Sequence, residues 1–580
     1  MPDKTQNDRD PDIYLSPSEG RMYHGSSYVP TTYDNLDIAP ESDSYPDRGS
    51  DADGGYRLLD LPRVPRLSHV LGPSAILLGA SLGSGETLFW PLLVATHGWN
   101  LYWLFFIGVL TQFFINTEIQ RWTVATGESI FRGFGRVDKA WPLAFLLLGF
   151  VSLGWPGWAA SAARIGTIGL GIESASIDVA AVSLSSWRLL GIGLLVLIWL
   201  SYQVTPVMYN VVERIQIVLV TLSILMAIVL FVTIGSVAQF ENVPGGIASV
   251  GTLPVDGDVA LLLGGIAFAG AGGYLNLSQS LWVREKGYGM GRFQGRIKNP
   301  IVGDDPEPVQ RDGFTFPPTE TNLRRWRGWW RLVQLEHLLT FVLGLLVAAT
   351  MLMAISAEYA TGVTANGVAM WTETIVPQVE PFARVMIFVT LFFALLTTEY
   401  GIVESFVRNS ADIIYETYGR SANWSLPRVF WLLLTVFTLG GIVVLMVPFG
   451  FSFDRPFGLL VLGAAMSGLM MWPYTALLSV MNTTRLPEHT QPGWLRLASL
   501  WWAMALFGYF SVLLLGNWIA MAGVASFETT ITVVDSAPGG VVLFGIAGLM
   551  QVFVIVKSAR AKFAKRGTVD TSDEAGGAFR

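Results

Sequence analysis

Residues 70–96, VLGPSAILLGASLGSGETLFWPLLVAT, form an apolar run interrupted near its centre by Gly83-Ser84-Gly85-Glu86. A carboxylate set among glycines at bilayer depth is costly unless the backbone unwinds there around something polar. A second run of this kind, residues 259–283, VALLLGGIAFAGAGGYLNLSQSLWV, carries Gly270, Gly272, Gly273, Tyr274 and Asn276 in its middle. Two interrupted hydrophobic segments at corresponding places in the two halves of a chain point to the binding site of a secondary transporter.

Composition agrees with that reading. Of 580 residues, 52% are hydrophobic and only 14% charged, and the mean hydropathy is +0.48. Many apolar runs are long enough to cross a bilayer, so the chain is a polytopic membrane protein. It has no cysteine, which removes disulfides and thiolate metal sites. His24, His69, His97, His337 and His489 are scattered without metal-ligand spacing and read as interfacial or packing residues. No phosphate loop, Ser-His-Asp set or metal-hydrolase motif is present, as a nucleotide-driven pump or a hydrolase would require. An enzyme activity, a cofactor and a nucleic-acid partner are therefore not expected.

Residues 1–60 are rich in Asp, Ser, Pro, Gly and Tyr and read as a disordered acidic tail. Twelve spans follow, near 70–96, 99–120, 140–163, 187–204, 209–236, 259–283, 331–356, 381–407, 425–447, 456–481, 495–522 and 539–557. Basic residues gather in alternate connections: Arg63 and Arg66, Arg121 to Lys139, Arg284 to Arg331, Arg408 to Arg428, Arg485 and Arg496, and Lys557 to Arg566. The other connections collect Glu173, Asp178, Glu241, Asp256, Asp258, Glu358, Glu373 and Asp535. The positive-inside rule then places both termini, including a tail at 558–580, and the loop 284–330 in the cytoplasm of a multi-pass cell-membrane protein. Within that loop Arg324, Arg325 and Arg327 beside Trp326, Trp329 and Trp330 read as an anchor to the lipid interface.

The first broken span resembles the first membrane helix of the Nramp divalent-metal transporters, where Gly-Pro and an apolar run precede Asp-Pro-Gly-Asn. Here Gly72-Pro73 is followed at the same spacing by Gly83-Ser84-Gly85-Glu86. Arg121 and Thr126-Gly127 at the end of the second span, and Trp472-Pro473-Tyr474 with Asn482 in the tenth, are similar to further motifs of that family. The resemblance implies an all-α membrane protein of the LeuT type, with five plus five helices in inverted repeat and the first and sixth broken. The repeats would cover 65–238 and 259–482, with two additional helices in 495–557.

The resemblance also implies which ligands are missing. The family's ion-binding Asp falls on Gly83 and its Asn on Glu86, while its sixth-helix Met and His fall on Gly272 and Tyr274 and its tenth-helix Gln on Ala464. The remaining donors are hard oxygens: Glu86 as the metal ligand, the backbone around Gly83, Gly85, Gly270 and Gly272, and Ser84, Tyr274 and Asn276. They suit Mg2+ or Ca2+ better than Mn2+ or Fe2+. Glu399 is the expected second acid, as a proton relay or part of the cation site. Glu118 and Glu213 are expected to pair with Arg121 and Arg214 near solvent. The leading expectation is uptake of a divalent cation, with protons as a candidate coupling ion and membrane lipid as the surrounding partner. The alternatives are a symporter for an amino acid or other small organic solute, and a transport-inactive sensor or scaffold.

Overall fold

The computed structural model describes residues 57–65, 72–179, 182–254, 258–302, 313–316, 318–446, 456–521 and 538–564. Among them eleven helices are long and apolar enough to cross a membrane. Spans 1 to 5 are Pro73–His97, Trp99–Thr126, Ala140–Gly169, Ser186–Val204 and Met208–Ile234. Spans 7 to 12 are Glu320–Tyr359, Pro381–Gly419, Leu426–Met446, Phe457–Thr484, Trp494–Ile519 and Gly540–Ala564. Span 6 lies between these groups as two short helices, Val259–Ala267 and Tyr274–Lys286. The described residues also include four short strands, β1 (Arg57–Leu58), β2 (Ser176–Val179), β3 (Val182–Ser185) and β4 (Phe314–Thr315); β1 pairs with β4 in parallel and β2 with β3 antiparallel.

Several boundaries differ from the sequence expectation. Residues 57–60 are ordered rather than part of a disordered tail: Leu59 and Leu61 are buried, and Leu59 N donates to Thr315 O at 2.9 Å. The rest of that tail, and residues 565–580, lie outside the described residues. The loop 284–330 ends early, because span 7 begins at Glu320 and runs through a widened π turn at Leu338–Val342 to Tyr359. Span 3 extends beyond 163 to Gly169 and is broken at Gly154-Trp155-Pro156, since proline cannot donate within a continuous helix. Span 8 continues past 407 to Gly419.

The tryptophans and Arg325 at the start of span 7 pack on protein, while Arg324 and Arg327 are exposed. Trp326 and Trp329 are buried, and Trp329 Nε1 donates to Pro62 O at 2.7 Å. Arg325 Nη1 donates to Leu61 O at 2.7 Å, and Leu61 N to Asn322 Oδ1 at 3.0 Å. The segment 57–65 is what covers this face. Trp330 is sandwiched between Arg121, 3.8 Å from its ring centroid, and Arg496, at 4.5 Å.

The end of the bundle bearing the basic connections is held by buried ion pairs. Arg408 bonds Glu404 on its own helix and Glu285 on span 6 at 3.0 Å, and all three side chains are fully buried. Arg284 pairs with Asp412 at 3.0 Å. Glu213 pairs with Lys286 rather than Arg214. Glu118 does pair with Arg121, at 2.7 Å, but the pair is buried and shared with Arg496 at 3.3 Å, so the expectation of a solvent-facing pair is overturned.

His489 lies outside the spans, in the turn Glu488–Thr490, with its ring edge-on to Phe316 at 4.9 Å. Burial pushes its pKa down to about 4, opposed by a weaker hydrogen bond with the Phe316 backbone. The folded state therefore resists a proton that the unfolded chain accepts near pH 6.5. Stability is expected to fall between pH 6.5 and 4, by up to roughly 3 kcal/mol. Thermal melts of wild type and His489→Phe across that range check this; the variant should lose most of the acid dependence attached to this connection.

Candidate functional site

The first half of span 1 ends where Leu82 N donates to Leu78 O at 2.9 Å and Gly83 N to Ser81 O at 2.7 Å. The helix resumes as a π turn, Gly85–Phe89, before tightening into Trp90–His97. Widened turns of this kind recur at functional sites because they re-aim a side chain. Glu86 sits in the first turn of the resumed half, where the helix terminus favours negative charge. It is fully buried. Its Oε1 accepts from Gly270 N at 3.2 Å, and its Oε2 has no hydrogen-bond partner among the described residues.

The break in span 6 meets this carboxylate. Its first half stops at Ala267, where Trp90 Nε1 donates to Gly265 O at 2.8 Å and Gln112 Nε2 to Ala267 O at 2.7 Å. Those bonds satisfy carbonyls that the helix leaves without partners. Gly270 (φ +134°) and Gly273 (φ +68°) adopt backbone conformations that side-chain-bearing residues rarely reach, and these bring the Gly270 amide to Glu86. Gly272 lies within the same turn, against the Ala267 backbone. Gly85 permits the closest approach of the two breaks, because a Cβ there would collide with the Phe268 carbonyl oxygen.

Span 3 supplies the third wall. Trp158, just after the break at Pro156, stacks on Phe268 at 6.0 Å and donates from Nε1 to Ser84 Oγ at 3.0 Å. The next residue, Ala159, donates its backbone N–H to Glu399 Oε2 at 3.1 Å. Glu399 is thereby tied through one dipeptide to the break that holds Glu86. Its neighbour Thr398 packs directly on Gly83. Glu399 Oε1 and Thr398 Oγ1 are buried without partners among the described residues.

Asn276 joins this centre through Gln112 rather than by touching Glu86. Its Nδ2 donates to Gln112 Oε1 at 2.6 Å and to Tyr474 OH at 2.9 Å, leaving Oδ1 without a partner among the described residues. Tyr274 points elsewhere: its ring lies against Gly149 between Phe131 and Phe406, and its hydroxyl reaches Ser410 at 3.4 Å. The structure thus brings together Gly83, Ser84, Gly85, Glu86, Gly270 and Glu399, with Asn276 linked to the span 6 break through Gln112. Gln112, Trp158 and Thr398 were missed by the sequence reading. A glutamine inside an apolar run and the Gly-Trp-Pro-Gly at 154–157 were the available signals. Met471 was also missed; its sulfur lies 3.8 Å from Gln112 Nε2.

A cleft of about 470 Å3 opens at the opposite end from the basic connections, lined by Ser161, Arg164, Glu173, Asn366, Glu373 and Phe457 among others. Phe89 meets Phe457 edge-on at 5.7 Å, and Trp371 Nε1 donates to Thr87 O at 2.7 Å. These aromatic side chains pack over the second half of span 1, beyond Glu86.

If the two breaks form one site, Gly85→Ala must push them apart. The extra methyl meets backbone, so the overpacking cost is about 1–3 kcal/mol. Gly85→Ala is expected to melt several degrees lower, while Gly440→Ala, with nothing within 4 Å of its added Cβ, melts near wild type. Melting curves of the two purified variants check this.

No protein-family model and no curated protein matches the chain. Solved structures do. A mutant of the manganese transporter of Eremococcus coleocola is similar with a TM-score of 0.58 at 12% identity, covering 88% of this chain and 99% of that one. A second mutant of that protein has a TM-score of 0.58 at 12% identity, covering 86% and 98%. At this identity the likeness speaks for the fold. The chain is an all-α, multi-pass membrane protein with the LeuT-type five-plus-five inverted repeat, broken in its first and sixth helices.

Proposed function

We propose that the protein is a secondary transporter that carries a hard divalent cation, Mg2+ or Ca2+, across the cell membrane by alternating access, with Glu86 as its anionic ligand. The observation that carries this reading is Glu86 Oε2, a carboxylate oxygen buried at the meeting of two helix breaks with no partner among the described residues. An unpaired buried acceptor is strongly disfavoured, and a cation satisfies it. The helix ends around it supply backbone carbonyls, and Thr398 and Ser84 supply hydroxyl oxygens.

The donor set supports a hard ion. Among the described residues no three His, Cys, Asp or Glu side chains gather as a metal cluster. One carboxylate with neutral oxygens leaves a divalent ion part of its water shell, a state that Mg2+ favours. The similar solved protein is named a manganese transporter. Here the thioether of Met471 lies 3.8 Å from Gln112 Nε2. An organic solute is favoured less, because Trp158, Phe268 and Thr398 already pack against the break. Glu399, held by the Ala159 amide beside the same break, is the acid assigned to proton relay in this reading.

With the basic connections in the cytoplasm, both termini lie inside, the ion-paired end is the closed inner face and the cleft beside Phe457 opens outside. The inner half of span 1 is held to span 7, since Ser74 N donates to Glu336 Oε1 at 3.1 Å and Ser74 Oγ bonds both Glu336 and His337. Alternating access then requires these inner contacts to separate as the outer aromatics close.

In proteoliposomes holding a lumenal cation indicator, Mg2+ or Ca2+ should enter and should compete at least as well as Mn2+, Fe2+ or Cd2+, while amino acids produce no flux. A strong preference for Mn2+ or Cd2+ that Met471→Leu abolishes would place the thioether in the site and overturn the hard-ion assignment.

A further inference from the structure

Span 2 and the second half of span 6 run parallel. Gln112 bonds Asn276 at 2.6 Å at one end of their contact, and at the other Gly289 packs on the Val124 carbonyl. Between these fixed points span 2 carries a polar residue every four positions, Gln112, Asn116 and Gln120, which a helix stacks along one side. The parallel register sets Asn116 and Gln120 at successive turns below Asn276, on the way to the basic end. Span 6 contributes Gln279 one turn beyond Asn276. His337 adjoins the same seam, with its Nδ1 3.4 Å from Gln279 Nε2 and its ring stacked on Phe113 at 5.9 Å.

All of these side chains except Phe113 are fully buried. Yet Asn276 Oδ1, both amide atoms of Asn116, both of Gln120, Gln279 Oε1 and His337 Nε2 have no hydrogen-bond partner among the described residues. One such atom in a protein is unremarkable. A row of them along one helix pair, starting at the proposed cation site, is a built polar surface. Buried amides offering both donors and acceptors are the groups that ordered water satisfies, typically with two to four bonds per molecule.

We propose that this seam is an internal water-binding track, running from the Gln112–Asn276 pair to the basic end of the bundle, along which the transported ion regains its water shell as it leaves Glu86. The identity of what travels along it rests on the transport reading above; the track itself does not. Neutral amide oxygens suit this step, since they coordinate a hard cation weakly and replace its waters one at a time. A carboxylate in their place would trap the ion.

The test combines labelling and flux on the full-length protein in lipid. Met471 and Tyr474 are fully buried at the head of the seam, and Met353 is fully buried on span 7. Hydroxyl radicals generated in place from water should oxidise Met471 at least about tenfold faster than Met353, because they form only where water sits. The double variant Asn116→Leu, Gln120→Met replaces the amides by apolar groups of similar size. It is expected to suppress labelling of Met471 and Tyr474, to keep wild-type Mg2+ affinity and thermal stability, and to slow Mg2+ flux by about tenfold or more. Met471 labelled no faster than Met353 in wild type, or wild-type flux from the double variant, would overturn the proposal. If the variant does not fold, the wild-type labelling ratio decides alone. If the wild type moves no cation, the transport reading fails while the labelling still decides whether the track exists.

Discussion

A backbone that stops being helical in the middle of a bilayer must have every freed polar group met from within the protein. That requirement organises this molecule. Where span 1 opens at Leu82–Ser84 and span 6 at Phe268–Gly273, Trp90 and Gln112 donate to the Gly265 and Ala267 carbonyls, Trp158 donates to the Ser84 hydroxyl, and the Gly270 amide donates to Glu86. The glycines make the close approach sterically possible, and the aromatic side chains exclude bulk solvent. Among the atoms these partners leave over is the second carboxylate oxygen of Glu86, and the proposed function rests on it.

Much of this centre was legible in the chain. Gly83-Ser84-Gly85-Glu86 and the glycines at 270–273 interrupt apolar runs, and an interruption of hydropathy needs no knowledge of packing to be seen. The break in span 3 was equally present in Gly154-Trp155-Pro156-Gly157, but the flanking residues keep the run apolar, so it reads as continuous. Apart from the Glu118–Arg121 pair, one helical turn apart, the partnerships were not legible. Gln112 caps a carbonyl 155 positions away, and Trp158 reaches a serine 74 positions back. Such bonds depend on how helices stack, which periodicity does not encode.

The cluster at Arg324–Trp330 shows the same limit from the other side. Arginine and tryptophan side by side suit a lipid interface and suit a protein interface equally, because both offer an apolar layer beside a polar one. The segment 57–65 decides between them by covering that face and bonding Asn322, Arg325 and Trp329. Likewise Glu118 and Arg121 read as a simple surface pair until Arg496 of span 11 closes over them. Span 11 is thereby joined to spans 2 and 7 at the basic end, so the first helix beyond the ten-helix core is tied into that core.

The most direct measurement is cation binding to purified, monodisperse Glu86→Gln beside wild type, by titration calorimetry with Mg2+ and Ca2+. The substitution keeps size and hydrogen-bonding atoms, so the Gly270 amide retains its acceptor and the fold is preserved, while the charge at the paired breaks is removed. The account predicts that wild type binds one ion per chain and that the variant binds none at concentrations up to at least about a hundredfold higher, a loss on the order of 3 kcal/mol. Equal binding by the two proteins would contradict it, since the ion would then be held without the Glu86 charge.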